Sequence, residues 1–262
     1  MTVQLSTVQQ KQRWDATSMR VASIDCQQGM LIPNTREIKS LQLQDIQWIV
    51  VIEKEVHPCF SSLLILTPKA TFRTLATSKY WLISLAGKGL ILTVRSTYAP
   101  FPHSPTTNIL QAKGYPDIQT RQFLHLLSIS APTVPIFALV DFDPDGLGIM
   151  STYKYGSMAL AHQSQNLAVP SIHWLGVRSS DIIQASIDKT GLLKLCARDR
   201  RIGRLMLEKD IFGEDEREQE WRRELQLMLM LNVKAEIQIL NSGIGLQSWL
   251  DAKLSPSMPE LL

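Results

Sequence analysis

Three short apolar runs punctuate the chain, at residues 46–52 (IQWIVVI), 134–140 (VPIFALV) and 171–177 (SIHWLGV). Each is rich in β-branched or aromatic residues and shows little polar alternation, so each predicts a strand buried on both faces of a parallel or mixed sheet. Each gives way at once to a polar side chain: Glu53, Asp141 and Arg178. Helical spacing fills the intervals over residues 70–81 (ATFRTLATSKYW), 117–127 with Asp117 as N-cap, and 146 to about 162. Strand followed by helix, repeated, predicts an α/β fold with crossover connections. In such sheets ligands collect beyond the carboxyl ends of the strands, where Glu53, Asp141 and Asp143 would project.

The ends of the chain are less regular. Residues 1–40 show little periodicity, and 29–33 (GMLIP) followed by Asn34 predict a strand end and turn. Residues 214–224 (EDEREQEWRRE) form a charge run, and Trp221, Leu225, Met228 and Leu229 follow at helical spacing. Together they predict a helix with a solvated face over a core face.

Composition narrows the class. The 262 residues are 45% hydrophobic and 19% charged, with 13 Gly and 13 Pro, which excludes collagen-like, low-complexity and strongly disordered chains. A net charge of +3 permits a nucleic-acid partner without arguing for one. Cys26, Cys59 and Cys196 are odd in number and widely spaced, giving neither a disulfide framework nor a zinc motif. A reducing compartment is expected. Residues 135–140 are far short of the roughly 20 apolar residues of a spanning helix, and the N-terminus lacks the apolar core of a secretory signal. The expectation is a soluble intracellular protein without a membrane partner.

The sharpest local feature is Asp141-Phe142-Asp143-Pro144-Asp145-Gly146. On an extended backbone Asp141 and Asp143 share a face, about 6 to 7 Å apart, with Phe142 turned into the core. Like charges so close repel unless a cation neutralises them, and hard oxygen ligands suit Mg²⁺. Glu53, at the end of another buried strand, could complete the site. Taken alone, D-x-D is equally a turn that caps the next helix. A calcium loop also begins D-x-D-x-D-G, but its twelfth position here is Thr152, Pro144 stands fourth, and a strand rather than a helix precedes it.

A second feature is Lys113-Gly114-Tyr115-Pro116-Asp117 followed by Thr120-Arg121. Glycine lets a phosphate approach a helix N-terminus, and Lys113 and Arg121 supply charge. By itself K-G-Y-P-D is also an ordinary turn.

Together these stretches resemble a specific family. Glu53 in V-I-E-K-E, K-G-Y-P-D-x-x-T-R, V-D-F-D-P-D-G-x-x-I-x-S-T-Y-K-Y-G-S and W-L-G-V-R (174–178) are similar to the Toprim domain of topoisomerase VI A subunits. That family includes the meiotic protein that makes programmed DNA double-strand breaks, and residues 141–157 most resemble its eukaryotic branch. Lys234-Ala235-Glu236-Ile237, Trp249-Leu250 and Lys253-Leu254 extend the resemblance, which spans about residues 29 to 262.

The resemblance implies a Rossmann-like Toprim domain with a mostly parallel sheet flanked by helices. It also implies a type IIB, ATP-dependent topoisomerase-like isomerase that works in the nucleus on double-stranded DNA, forming a homodimer and pairing with an ATPase-like B-type partner subunit. In such proteins the attack on a phosphodiester comes from a tyrosine of a winged-helix domain, which stays linked to the 5′ end. The acidic triad that holds Mg²⁺ would be Glu53, Asp141 and Asp143. Lys113, Gly114 and Arg121 would contact phosphate.

The chain departs from the pattern in two respects. No tyrosine precedes Tyr80, and none of Tyr80, Tyr98, Tyr115, Tyr153 and Tyr155 falls at the nucleophile's place, so the resemblance assigns no catalytic tyrosine here. Residues 56–69 (VHPCFSSLLILTPK) and 94–111 (VRSTYAPFPHSPTTNILQ) also interrupt family-like sequence; each begins with Val and ends with Lys or Gln, as translated introns bounded by GT and AG would. The expected organisation is a remnant of the winged-helix region or its linker at 1–40 and a Toprim domain at 41–262 carrying both insertions, from a gene model that retains two introns and lacks 5′ exons. The competing expectation is a non-catalytic DNA-binding or dimerisation module derived from the same family. A Toprim nuclease or primase, which needs the acidic triad but no tyrosine, is disfavoured by K-G-Y-P-D and S-T-Y-K-Y-G-S.

Overall fold

The computed structural model describes residues 2–7, 19–20, 32, 35–53, 69–93, 116–156, 167–185, 191–208, 216–241 and 245–255. Strands β1 (Thr2–Thr7), β2 (Met19–Arg20) and β3 (Ile38–Gln44) form an antiparallel sheet in the order β2-β1-β3. β3 therefore runs across the expected boundary at residues 40 and 41.

The central sheet is built from the three predicted apolar runs and one further strand. β4 (Trp48–Ile52) lies between β5 (Gly89–Thr93) and β6 (Ile136–Leu139), and β7 (Ile172–Gly176) completes the order β5-β4-β6-β7, all parallel. Every residue of β4 and β6 is buried, which is why their sequences run apolar without alternation. β5 is an edge strand with intermediate burial, and its pattern is correspondingly weaker. The arrangement is the expected mostly parallel α/β Toprim fold, flanked by helices.

Residues 70–81, which the spacing predicts as one helix, form two: α1 (Lys69–Thr77) and α2 (Tyr80–Ile83). Lys79 between them adopts φ 53, a left-handed conformation that ends the first helix. The break accompanies burial of Tyr80, whose hydroxyl donates to Asp251 at 2.8 Å. α3 (Ile118–Ser130) begins where predicted, because the Asp117 carboxylate accepts the Thr120 N–H at 2.7 Å. α4 (Pro144–Tyr155) begins two residues earlier than expected, with Asp143 as N-cap and Pro144 in the first turn. It spans positions a calcium loop would need to leave open, and the remainder of the predicted helix, from 157 to about 162, lies outside the described residues.

After β7 come α5 (Ser179–Ala185), β8 (Leu192–Lys194), α6 (Ala197–Glu208), α7 (Glu216–Leu231), β9 (Val233–Ala235) and α8 (Leu246–Leu254). β8 and β9 pair antiparallel. α7 buries Trp221, Leu225 and Met228 as predicted, yet its charged side is not simply solvated. Glu218 is buried and accepts from Lys154 at 2.9 Å, Glu220 accepts from Arg178, and buried Glu224 accepts from Ser179 Oγ at 2.9 Å. Those acidic residues tie the helix to α4 and to the segment after β7. Among the described residues, no helix is long and apolar enough to cross a membrane.

The insertions expected at 56–69 and 94–111 lie outside the described residues, except for Lys69, which opens α1.

Candidate functional site

β4 and β6 are parallel neighbours in register, with Val50 opposite Phe137 and Ile52 opposite Leu139, so both deliver their carboxyl ends to one edge. The Glu53 N–H extends that ladder to the Leu139 carbonyl at 2.9 Å. A carboxylate after β4 and the two after β6 therefore share the edge where ligands of parallel sheets collect.

Beyond β6 the backbone leaves the sheet through a second pairing. Phe142 forms an antiparallel bridge with Ala235 of β9, its N–H reaching the Ala235 carbonyl at 2.8 Å and its carbonyl accepting the Ala235 N–H at 3.1 Å. Phe142 is buried, in keeping with the alternation predicted for it. The bridge carries Lys234-Ala235-Glu236-Ile237 to the acidic loop from a distant part of the chain.

Each carboxyl of the predicted triad is buried, Glu53 and Asp141 at 3% exposure and Asp143 at 2%. Asp141 Oδ1 accepts the Ile237 N–H at 2.8 Å, and Asp143 Oδ1 accepts the Gly146 N–H at 2.7 Å. Asp143 thus performs the capping role that D-x-D also allowed, which does not exclude a second role for its carboxylate. Gly146 is required by close approach: a Cβ there would stand 2.2 Å from the Asp141 carbonyl oxygen.

Glu53 accepts a hydrogen bond from the hydroxyl of Tyr153 on α4. Burial pushes its pKa up to about 8; the Tyr153 bond works against that and the charge of Asp117 adds to it. Burial, reinforced by Glu53, also holds the Tyr153 phenol well above its ordinary range.

Arg121 does not present its charge to solvent. It is 2% exposed, and its Nε and Nη2 have no hydrogen-bond partner. Burial lowers its pKa from the usual value, an effect partly offset by Tyr153. The structure therefore keeps Arg121 in the first turn of α3, as expected, but encloses its charge beside Tyr153 instead of presenting it to a phosphate at the helix N-terminus. Lys113 and Gly114 lie outside the described residues.

Two ion pairs border the loop and carry no local signal in the sequence. Asp145 receives both terminal nitrogens of Arg198, and Asp199 pairs with Lys234 at 2.8 Å. Burial pushes Asp199 up, but Lys234 and the Cys196 N–H outweigh it and hold the carboxyl below its ordinary value. Burial likewise pulls Lys234 down, and Asp199 more than restores it. The K-A-E-I motif marks Lys234 itself, whereas nothing near it in the chain marks Asp199 as its partner.

The donor set fits Mg²⁺ in kind, being entirely carboxylate oxygen. Among the described residues, however, no three His, Cys, Asp or Glu side chains stand close enough together to hold a metal ion. Each of the three carboxyls is engaged by a different partner: a phenol, the Ile237 N–H and the Gly146 N–H. Ion binding at this edge requires Glu53 to exchange its Tyr153 bond or to share it.

Residues 99–253 match the family model for the Toprim domain of the topoisomerase 6 A subunit and Spo11, a span covering more than half of the chain. The chain belongs to this family. Asp141 and Asp143 lie within the matched span of the Toprim domain, and Glu53 precedes it. The chain is 42% identical over 134 residues to the A3 subunit of DNA topoisomerase 6 from Oryza sativa subsp. indica, covering 51% of this chain and 29% of that protein. It is 40% identical over 134 residues to meiotic recombination protein SPO11-1 of the same subspecies, covering 51% and 34% respectively. The A subunit of DNA topoisomerase 6 from Arabidopsis thaliana is 41% identical over 134 residues, covering 51% and 30%. The chain thus spans about a third of the length of these curated relatives.

Proposed function

We propose that this Toprim chain is the Mg²⁺-holding part of a topoisomerase VI A-like protein that makes meiotic DNA double-strand breaks by tyrosine transesterification. Glu53, Asp141 and Asp143 would hold the ion, and the attacking tyrosine would come from a winged-helix domain rather than from these residues. Bound there, the ion would offset charge on the phosphate undergoing transfer. The chain's own contribution is placement: the β4–β6 register, the Phe142–Ala235 bridge and the α4 N-cap fix where the carboxyls leave the backbone. The observation that carries this proposal is the delivery of Glu53 and the D-x-D pair to one edge by adjacent parallel strands in a member of this family.

The proposed setting is the one the family resemblance implies: the nucleus, double-stranded DNA for substrate, a homodimer, and pairing with an ATPase-like B-type partner. Lys113 and Gly114 remain proposed phosphate contacts; a role for Arg121 in phosphate binding requires its guanidinium to become exposed. The domain division at residues 40 and 41 and the two insertions belong to the same proposal.

A second function, a non-catalytic DNA-binding or dimerisation module, is favoured by one observation: among the described residues the three carboxyls do not gather into a metal-binding group. Duplex DNA binding measured with and without Mg²⁺ separates the two. The metal-holding function predicts Mg²⁺-enhanced binding that Asp143→Ala and Glu53→Ala each abolish, with circular dichroism unchanged. Equal binding by wild type and both variants at every Mg²⁺ concentration would establish the module instead.

A further inference from the structure

α6 buries Asp199, Gly203 and Met206 and turns the other side to solvent. Arg201 and Arg204 are both exposed on that outer side, and neither has a partner among the described residues. With Ala197, Arg200, Leu205 and Glu208 they line an open cavity of about 330 Å³. Among the described residues, Glu208 is its only acidic lining residue. Arg200 is differently employed, donating to the Leu195 carbonyl at 2.7 Å and to Asn232 Oδ1 at 3.0 Å.

Within the helix the only favourable charge spacing for Arg201 and Arg204 is that of Arg204 to Glu208, four residues on. Arg201 and Arg204 are three residues apart and Arg200 and Arg204 four apart, spacings at which like charges are neighbours and repel. A polyanion would relieve that repulsion, and guanidinium groups suit phosphate because their planar donors can engage two oxygens at once. The helix is also anchored to the acidic loop: it packs on α4, and Arg198 near its N-terminus holds Asp145, two residues from Asp143. An anionic strand on the outer face of α6 would lie on an element that is fixed to the proposed ion site.

We propose that Arg201 and Arg204 form a phosphate track for duplex DNA beside the acidic loop. The proposal rests on the DNA-directed function above and adds to it a surface separate from the carboxylates. Each arginine that neutralises a phosphate releases counterions, so its loss lowers the salt dependence of binding by about 0.9 in the logarithmic slope.

The test is fluorescence anisotropy of the full chain with a labelled duplex of about 20 base pairs, from about 50 to about 200 mM salt. R201A/R204A should lower the slope by about 2, and R201K/R204K should keep it near wild type. Circular dichroism and thermal unfolding should show the alanine variant at least as stable as wild type. A wild-type slope retained by R201A/R204A overturns the track while leaving the proposed function standing. Absence of salt-dependent DNA binding by the wild type overturns the proposed function, and the track with it. If polyglutamate binds the wild type but not R201A/R204A while their DNA slopes agree, the face belongs to an acidic protein partner and the DNA assignment is wrong.

Discussion

Two of the buried carboxylate sites among the described residues are satisfied in opposite ways. Asp181, at the start of α5, accepts the Arg178 N–H at 2.9 Å and the Trp249 Nε1–H at 3.1 Å, and it pairs with Lys253 at 3.0 Å. These bonds fasten α8 to the segment after β7. Glu53, at the end of β4, is as deeply buried but receives a neutral phenol, and among the described residues it has no cationic partner. The first cluster supplies its own counter-charge. The second leaves a carboxyl whose charged form is disfavoured until something positive arrives. Asp181 carries its cation within the chain; Glu53, at the carboxyl edge of the parallel sheet, has only a phenol, and that difference is what the proposed ion-holding role of Glu53 rests on.

The contrast can be broken most directly at Asp181. Asp181→Ala leaves Lys253 and two N–H donors without their acceptor in a buried setting, and urea unfolding should show a loss of about 3 to 5 kcal/mol. A loss under about 1 kcal/mol would mean that the cluster is not the structural fastening described here.

The next effect is pH-dependent. Glu53 has a folded pKa of about 8 against an ordinary value of 4.5, so between those values the folded state holds a proton that the unfolded state has released. Its contribution to stability is therefore fully present below about 4.5 and is lost as pH rises toward 8. The loss over that window should be on the order of 3 to 5 kcal/mol, and Glu53→Gln should remove it. The Asp199–Lys234 pair has the opposite sign on its acidic side: the Asp199 contribution is present above its ordinary value of 3.8 and falls away as pH drops further. A Glu53→Gln variant with the same stability-versus-pH curve as wild type would erase the distinction between the two clusters.

A smaller effect sharpens the geometry of the acidic loop. Gly146→Ala forces a Cβ to within 2.2 Å of the Asp141 carbonyl oxygen, so the loop must shift. We expect a cost of about 1 to 3 kcal/mol in thermal unfolding together with weaker Mg²⁺-enhanced DNA binding. Gly176→Ala meets the Trp249 ring at 2.8 Å in the other cluster and should lower stability without touching Mg²⁺ dependence. If both variants changed Mg²⁺ dependence equally, the two clusters would not be functionally separate.

Much of the sheet is legible in the sequence because its signal is local. A parallel strand buried on both faces must be apolar throughout, and β4, β6 and β7 read that way; β5, an edge strand, has a weaker pattern. Asp117 is legible as a cap because a cap is decided within three residues. The break at Lys79 is not, since Tyr80 is drawn to Asp251, 171 positions away. The charge run on α7 reads as solvated for a similar reason: Lys154, Arg178 and Ser179, which bind its glutamates, are distant in sequence.

The sequence by itself determined that acidic side chains end two buried strands of an α/β sheet, because residue periodicity encodes burial and the polar residue that stops a strand; that the two strands are neighbours came from the sheet topology. The tertiary structure alone decided which of those acids found a partner. Tyr153 reached Glu53 across 100 residues and Ile237 reached Asp141 across 96, while Arg121, expected to offer its charge to a phosphate at a helix N-terminus, was enclosed. The energy of a buried charge is set by whatever crowds around it in space, and chain order does not record those neighbours.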